Sequence, residues 1–471
     1  MRAEVAGLIL CALLAACGVG ARFVRPEGDG GWTDTRRAEE VARSTAIHAA
    51  PSATPLTLAA ALALADAGNP RIAEAENELD EARERVWQAR GRLFPRTTGS
   101  GRYTWYTDPQ RVTVPAGVRI PGFSGITIRE AEVGNVNGTL TLPLDVTGEL
   151  TQALSAAQAG YRGERARVWA TRLEEHVLVV RSYFALLEAE RLREVTRQTI
   201  ATDRQQLENA HRRFDAGRLT KNELLVVDVA VRNAEQRLLE RDLAIDQARW
   251  ALNQATGLPV DAPSEIADVH ERPTLPDLDD ALRIARAENP AVIAVLEEQQ
   301  RLEASTRALE RGWLPRLSTG GTVDYTTQTI VQPQTIGGGF VGFDWDLGTD
   351  TRRAAEIAEA RLAADRNRRR LERELRALEA AIRGAHRATE ERLAALGAAE
   401  AGVGQAEENL RIRQDQFAAG RATTDDVLDA EALLAAERAT LAGALYQAHT
   451  RRAELQQLMG RPLDDVVAEA R

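Results

Sequence analysis

Residues 61–70 read ALALADAGNP, and residues 281–290 read ALRIARAENP, so one apolar run ending in Asn-Pro occurs twice in the chain. The sequence LFPR at 93–96 then returns as WLPR at 313–316 in the same register. Farther on, FDAGRLT at 214–220 returns as FAAGRAT at 417–423. Self-similarity in a fixed order indicates two copies of one structural unit. The sequence therefore predicts an internal duplication, with repeats over residues 56–259 and 278–463 and a Pro-rich linker over residues 260–277.

The C-terminal part of each repeat carries an apolar residue every seven positions, which is typical of a coiled-coil helix. In the first repeat these positions are Leu224, Val231, Leu238, Ile245 and Leu252, and in the second they are Val427, Leu434, Leu441, Ala448 and Leu455. Five heptads predict a helix of roughly 50 Å. Arg241 is the one exception in the seam of the first-repeat helix. The partner of that helix is expected from about Glu149 to Asp215. The fold is therefore mainly α, built from long helical hairpins.

Between the helical parts, four short segments alternate apolar and polar residues with period two, which a helix does not explain. Leu140, Leu142 and Leu144 alternate with polar residues, as do Val341 and Phe343, and further strands follow Pro95 and Pro315. Segments of this length and pattern fit either membrane-crossing strands or a soluble antiparallel sheet. Four strands do not close a barrel, so strands that span a membrane require an oligomer. The Pro- and Gly-rich insert from Tyr106 to Val133 is interpreted as a longer loop.

The N-terminus has the order of an export signal. An apolar stretch from Val5 to Leu14 precedes Ala15-Ala16-Cys17, which resembles a bacterial lipobox. We therefore predict a signal peptide over residues 1–16, a lipid on Cys17, a lipidated N-terminal segment over residues 17–55, and a tail over residues 464–471. After this stretch the sequence has no apolar run long enough for a helical membrane span.

No pattern of catalytic, cofactor-binding or metal-binding residues emerges. The net charge of -10 argues against a nucleic-acid partner. The six histidines lack ligand spacing and are interpreted as helix-surface residues, and there is no phosphate loop or nucleophile motif. We predict that the chain is not an enzyme and has no cofactor beyond the lipid on Cys17. A lipid-anchored periplasmic coiled-coil scaffold is the alternative to a membrane channel.

Together, the duplicated Asn-Pro and Leu-Pro-Arg motifs, the segment Leu142-Pro143-Leu144-Asp145 and the paired Ala-Gly-Arg turns resemble the TolC-like outer-membrane factors. Cys17-Gly18-Val19-Gly20 is similar to the lipoprotein subgroup that serves resistance-nodulation-division pumps. The resemblance implies a homotrimer with a twelve-stranded membrane β-barrel and an α-barrel of helical hairpins that extends into the periplasm. It also implies a passive outer-membrane channel of a tripartite efflux or secretion system, joined to an inner-membrane transporter by a periplasmic adaptor.

The candidate functional residues lie in the two Ala-Gly-Arg turns. Glycine after a helix and Thr-x-x-acid before the next one predict a left-handed helix end followed by a capping box. In the family these turns form the periplasmic tip, which implies adaptor docking or gating by Gly217, Arg218, Thr220, Gly420, Arg421 and Thr423. The resemblance also implies an acidic ring of Asp426 and Asp429 at the entrance, where like charges should raise some pKa values. The alternative is two exposed acids favoured by the dipole of their helix.

Overall fold

The computed structural model describes residues 55–112, 121, 126–217, 219–345 and 351–463. The first half contains α1 (Leu58–Gly68), α2 (Pro70–Gly91), β1 (Arg96–Trp105), β2 (Gln110–Val112), β3 (Ile126–Arg129), β4 (Glu132–Leu144), α3 (Glu149–Asp215) and α4 (Lys221–Thr256). The second half contains α5 (Leu278–Glu288), α6 (Pro290–Arg311), β5 (Arg316–Thr326), β6 (Thr335–Asp344), α7 (Thr351–Ala418) and α8 (Thr424–Met459). The predicted signal peptide, Cys17 and the C-terminal tail lie outside the described residues.

The helices that carry the heptads are α4 and α8, and each packs against a longer helix. α3 has 67 residues and α7 has 68, which makes each about 100 Å long at 1.5 Å per residue. α4 packs on α3, α3 packs on α8, and α8 packs on α7. Within α4 the seam residues Val231, Ile245 and Leu252 are buried. The predicted coiled-coil seam is therefore the contact between neighbouring helices.

The four predicted strands form one antiparallel sheet in the order β1-β4-β5-β6. Its register sets Leu140 opposite Thr97 and Gly321, and Leu144 opposite Leu317. Directly opposed residues lie on one face of a sheet, so each strand presents its apolar alternate positions on the same side. β1 and β6 are the two edges of this sheet.

The loop interpretation of the insert from Tyr106 to Val133 is wrong in part. β2 and β3 form a separate two-stranded antiparallel sheet, and β4 already begins at Glu132. The proline and glycine content predicts a loop, but it does not show how far the flanking residues continue to pair as strands.

The segment between α4 and α5 is irregular but firmly attached. Apart from one parallel bridge between Leu56 and Ile266, it contains neither helix nor strand. The buried Tyr183 hydroxyl donates to the carbonyl oxygens of Leu56 and Ala267, at 3.0 and 2.5 Å. Farther along, Arg272 donates to the Leu393 carbonyl oxygen at 3.0 Å. A side chain of α3 therefore holds this segment at the carbonyl group of Ala267, and a side chain of the segment itself attaches it to the backbone of α7.

Each half joins its two short helices to the end of a long one in the same way. Asn69 caps α2 and donates from Nδ2 to the Ala255 carbonyl oxygen, while Asn289 caps α6 and donates to the Leu458 carbonyl oxygen. Gly257 and Gly460, which follow α4 and α8, have φ values of 76° and 79°. A Cβ at Gly460 would lie 2.3 Å from the Glu288 carbonyl oxygen, and one at Gly257 would lie 2.4 Å from that of Gly68. Both junctions therefore need glycine for its conformation and for space.

Candidate functional site

The turn between α3 and α4 and the turn between α7 and α8 have the local structure predicted for them. Gly217 and Gly420 have φ values of 68° and 70°, in the left-handed region that glycine adopts readily. No atom lies within 4 Å of a Cβ built at either position. Conformation alone therefore requires glycine at these two turns.

Both predicted capping boxes are present. Thr220 Oγ1 accepts from the Glu223 amide, and the Glu223 carboxylate accepts from the Thr220 amide at 2.8 Å. Thr423 and Asp426 make the same exchange, also at 2.8 Å for the amide of Thr423. Each box satisfies backbone amides that the first turn of a helix leaves without partners.

The capping box changes the electrostatics expected for the acidic pair. Within one chain, hydrogen bonds from the backbone and then the hydroxyl of Thr423 lower the pKa of the Asp426 carboxyl, as does the charge of Arg413. The raised pKa values expected where three chains bring like charges together stay a prediction. Arg413 Nη1 lies 3.8 Å from Asp426 Oδ1. Asp429 is exposed. Asp426 is therefore engaged inside its own turn, while Asp429 is available to an approaching ion.

Of the two arginines proposed for docking or gating, the structure describes one. Arg421 is exposed, and its amide donates to the Gln416 carbonyl oxygen at 2.8 Å, which closes the helix end. Within the described ranges its guanidinium has no ion-pair partner. Arg218 lies outside the described residues.

Contacts between the two hairpins lie close to these turns. The Arg213 guanidinium lies 4.4 Å from the centre of the Phe417 ring, within the range of a cation–π interaction. Two buried acids also lie between the hairpins, Asp203 on α3 and Glu431 on α8. The heptad pattern does not reveal either acid, because an acid beside the seam looks the same in sequence whether it faces water or a neighbouring helix.

Histidines also take part in the helix packing. The prediction of surface histidines is wrong for His176 and His449, which are 5% and 2% exposed. His176 Nε2 lies 3.0 Å from Asp66 Oδ1, and His449 stacks on Phe184 at 4.8 Å. Burial lowers the pKa of His449. The described part of the chain holds no group of three or more His, Cys, Asp or Glu side chains arranged to bind a metal ion.

One face of the four-stranded sheet exposes large apolar side chains in the single chain. Val341 and Phe343 are 78% and 71% exposed. Their register partners Thr319 and Leu317 lie on the same face, as do the exposed residues Tyr103, Trp105, Leu140, Leu144 and Val323. The opposite face carries mostly threonine, serine, asparagine and arginine. An apolar face of this size indicates contact with lipid or with another protein.

No helix in the described ranges has the length and apolar character needed to cross a membrane.

Comparison with known proteins finds one family and several structures. The family described as outer membrane efflux protein matches residues 61–258 and 281–461. The outer membrane protein VceC from Vibrio cholerae superposes with a TM-score of 0.71 at 17% identity, covering 86% of this chain and 97% of VceC. For the CmeC outer membrane channel of Campylobacter jejuni the TM-score is 0.70 at 15% identity, with 88% of each chain covered. For the Neisseria gonorrhoeae MtrE outer membrane channel it is 0.68 at 17% identity, covering 88% of this chain and 94% of MtrE. No curated protein sequence matches the chain significantly.

Proposed function

The chain belongs to the outer membrane efflux protein family, and from that premise we propose that it is the outer-membrane channel of a tripartite efflux or secretion system. It is a passive conduit from the periplasm to the exterior and does no chemistry on its substrate. The observation that carries this proposal is the family match over both halves of the chain, joined to a sheet whose apolar face is exposed. Over the matched length the two halves also have paired junctions at Asn69 and Asn289, which supports an internal duplication.

The sheet supports a membrane-spanning role for the strands. Apolar and polar residues alternate along strands of 10 to 13 residues, a length suited to crossing a bilayer at a tilt. The edges β1 and β6 are unpaired within the described chain, and an open edge is costly in lipid. Three copies that join β1 of one chain to β6 of the next form a closed twelve-stranded barrel.

The helices support the same assembly. α4 is the outer helix on one side of the helix layer, and it exposes Leu225, Val229, Leu239, Leu243 and Trp250. At 3.6 residues per turn these five side chains fall within about 80° of the helix circumference. The exposed Arg232 and Gln236 interrupt this stripe between Val229 and Leu239, and its apolar parts are suited to packing against another helix. In a homotrimer its occupant is α7 of the neighbouring copy, on the opposite side of the layer.

The turns between the long helices are the proposed periplasmic tip. Gly217, Thr220, Gly420 and Thr423 shape the two turns, and the exposed side chain of Arg421 takes no part in that shape. We assign Arg218 and Arg421 to adaptor docking or to gating, and Asp429, together with Asp426, to an acidic ring at the entrance. The adaptor and an inner-membrane transporter are the proposed partners.

The N-terminal lipid on Cys17 is a proposal from the sequence, and it adds a second attachment to the outer membrane. The scaffold alternative has the lipid as its sole membrane attachment. The test replaces residues 1–17 with a cleavable leader that carries no lipidation site, followed by alkaline carbonate extraction of outer membranes. We expect the protein to stay in the membrane fraction; release into the wash would favour the scaffold and overturn the channel.

A further inference from the structure

Two carboxylates are buried where the hairpin of α3 and α4 meets α8, above the turns. Asp203 is 4% exposed and Glu431 is 8% exposed. Glu431 lies about 10 Å along α8 from its first residue. Glu431 Oε1 accepts from Gln206 Nε2 at 2.6 Å, whereas the buried Oε2 accepts no hydrogen bond from the described residues. A buried carboxylate oxygen without a donor destabilises the ionised form and favours the protonated one.

The charged groups around this pair do not neutralise it. The groove that it lines, about 380 Å³ in volume, is also lined by Arg237 and Arg241 from α4 and by Asp429 from α8. The attraction of Arg237 acts on Asp203. The arginines in the last turns of α7 have acidic partners of their own: Arg411 pairs with Glu408 and Asp415, and Arg413 lies near Asp426. Among the described residues, Glu431 thus has a hydrogen bond from Gln206 but no ion pair.

These surroundings set the direction of the response to pH. Burial, and then the negative charge of Asp203, raise the pKa of Glu431 from 4.5 to about 7, against the hydrogen bond from Gln206. Burial also raises the pKa of Asp203. Because the pKa of Glu431 is higher in the packed arrangement, that arrangement is most stable below about pH 4.5 and loses this stability as the pH rises through 7.

We propose that Asp203 and Glu431 form a proton-dependent latch between the two hairpins. With Glu431 protonated, α3 and α8 pack together and hold the turns close; with Glu431 ionised, two buried negative charges separate them. The latch rests on the proposed function, because it regulates transport only if these turns form the entrance of a channel.

The test is single-channel recording of the full-length lipidated protein in planar bilayers between pH 5 and pH 8.5. We expect the open fraction of the wild type to rise with a midpoint near pH 7. Glu431→Gln keeps the shape of the protonated acid and has no charge, so it should stay at the low open fraction throughout. Asp203→Asn removes the repulsion and should move the midpoint to lower pH by at least half a unit. Glu437→Gln is the matched control and should behave as the wild type, because Glu437 is a half-buried acid of the same helix that lies beside Gly402 of α7 and does not line the groove.

The outcomes separate the latch from the channel. If the wild type conducts and Glu431→Gln shows the same pH response as the wild type, the latch is overturned and the channel is left intact. If the wild type shows no conductance at any pH, the channel itself is overturned. If Glu431→Gln fails to assemble, Asp203→Asn still decides, since an unchanged midpoint contradicts the proposal.

A distance measurement tests the movement directly. Ala216 and Ala419 are exposed, one on each turn. With each replaced by a cysteine that carries a spin label, the pair reports the distance between the turns of one chain. Labelled chains are mixed with an excess of unlabelled chains, so that a trimer contains one labelled chain. We expect a longer distance at pH 8.5 than at pH 5.5 in the wild type and no change in Glu431→Gln. Equal distances at both pH values in the wild type would contradict the latch.

Discussion

Gly460→Ala and Gly420→Ala are a matched pair of substitutions that separates conformational strain from crowding. Both glycines have positive φ, at 79° and 70°. An alanine held in this left-handed region costs about 1–2 kcal/mol. At Gly420 that is the whole expected cost, because no atom lies within 4 Å of the added Cβ.

At Gly460 the new methyl group would also meet the backbone. It would lie 2.3 Å from the carbonyl oxygen of Glu288 and 3.0 Å from the Cα of Asn289, so the junction between α5 and α6 must move away from the end of α8. Overpacking of this kind adds about 1–3 kcal/mol. The expected total is about 2–5 kcal/mol, which exceeds the loss at Gly420 by about 1–3 kcal/mol.

The assay is thermal unfolding of the detergent-solubilised protein, followed by helical circular dichroism at one fixed scan rate, since large assemblies often unfold irreversibly. We expect Gly460→Ala to lower the melting temperature clearly more than Gly420→Ala. Gly257→Ala should resemble Gly460→Ala, because its Cβ would lie 2.4 Å from the Gly68 carbonyl oxygen. Equal losses for Gly460→Ala and Gly420→Ala would refute the packing described for the junction.

Three further predictions concern the tip and the sheet. Arg421→Glu should abolish transport in cells that lack other outer-membrane channels without lowering the amount of trimer, because its side chain is exposed and not needed by the turn; intact transport would remove its assignment. Asp429→Ala should weaken block of single channels by large cations and leave thermal stability unchanged, whereas Asp426→Ala should lower stability because it removes the acid of a capping box; unchanged block in the double variant would remove the acidic ring. Val323→Arg should prevent outer-membrane insertion, since a cation on the lipid side costs about 2–4 kcal/mol at the middle of the bilayer, while Thr322→Arg on the other face should insert; similar insertion of both would contradict the assignment of the faces.

The long helices and the strands were predictable because their periods extend over many residues. The helix expected from about Glu149 to Asp215 is α3 with the same bounds, since Gly148 and Gly217 mark its two ends. Alternation likewise predicts the strands of the four-stranded sheet. The short pairing of β2 with β3 has too few residues to show a period, so the insert looked like a loop.

Interactions between distant segments were not predictable in the same way. His449 and Glu431 occupy helix positions whose neighbours come from other parts of the chain, and a single sequence does not show which helix covers them. Asp426 illustrates the opposite case, because its partner Thr423 is three residues away and the capping box follows from spacing alone. The sequence therefore indicates local geometry at the tip, while the buried acid pair above it depends on the tertiary structure.

The most direct test of the channel is single-channel recording of the detergent-purified protein in a planar bilayer, together with its mass in solution. We expect the mass of three chains and discrete, cation-preferring conductance steps that require the intact sheet face. A monomer that gives no conductance steps would contradict the channel and withdraw the roles assigned to the tip residues.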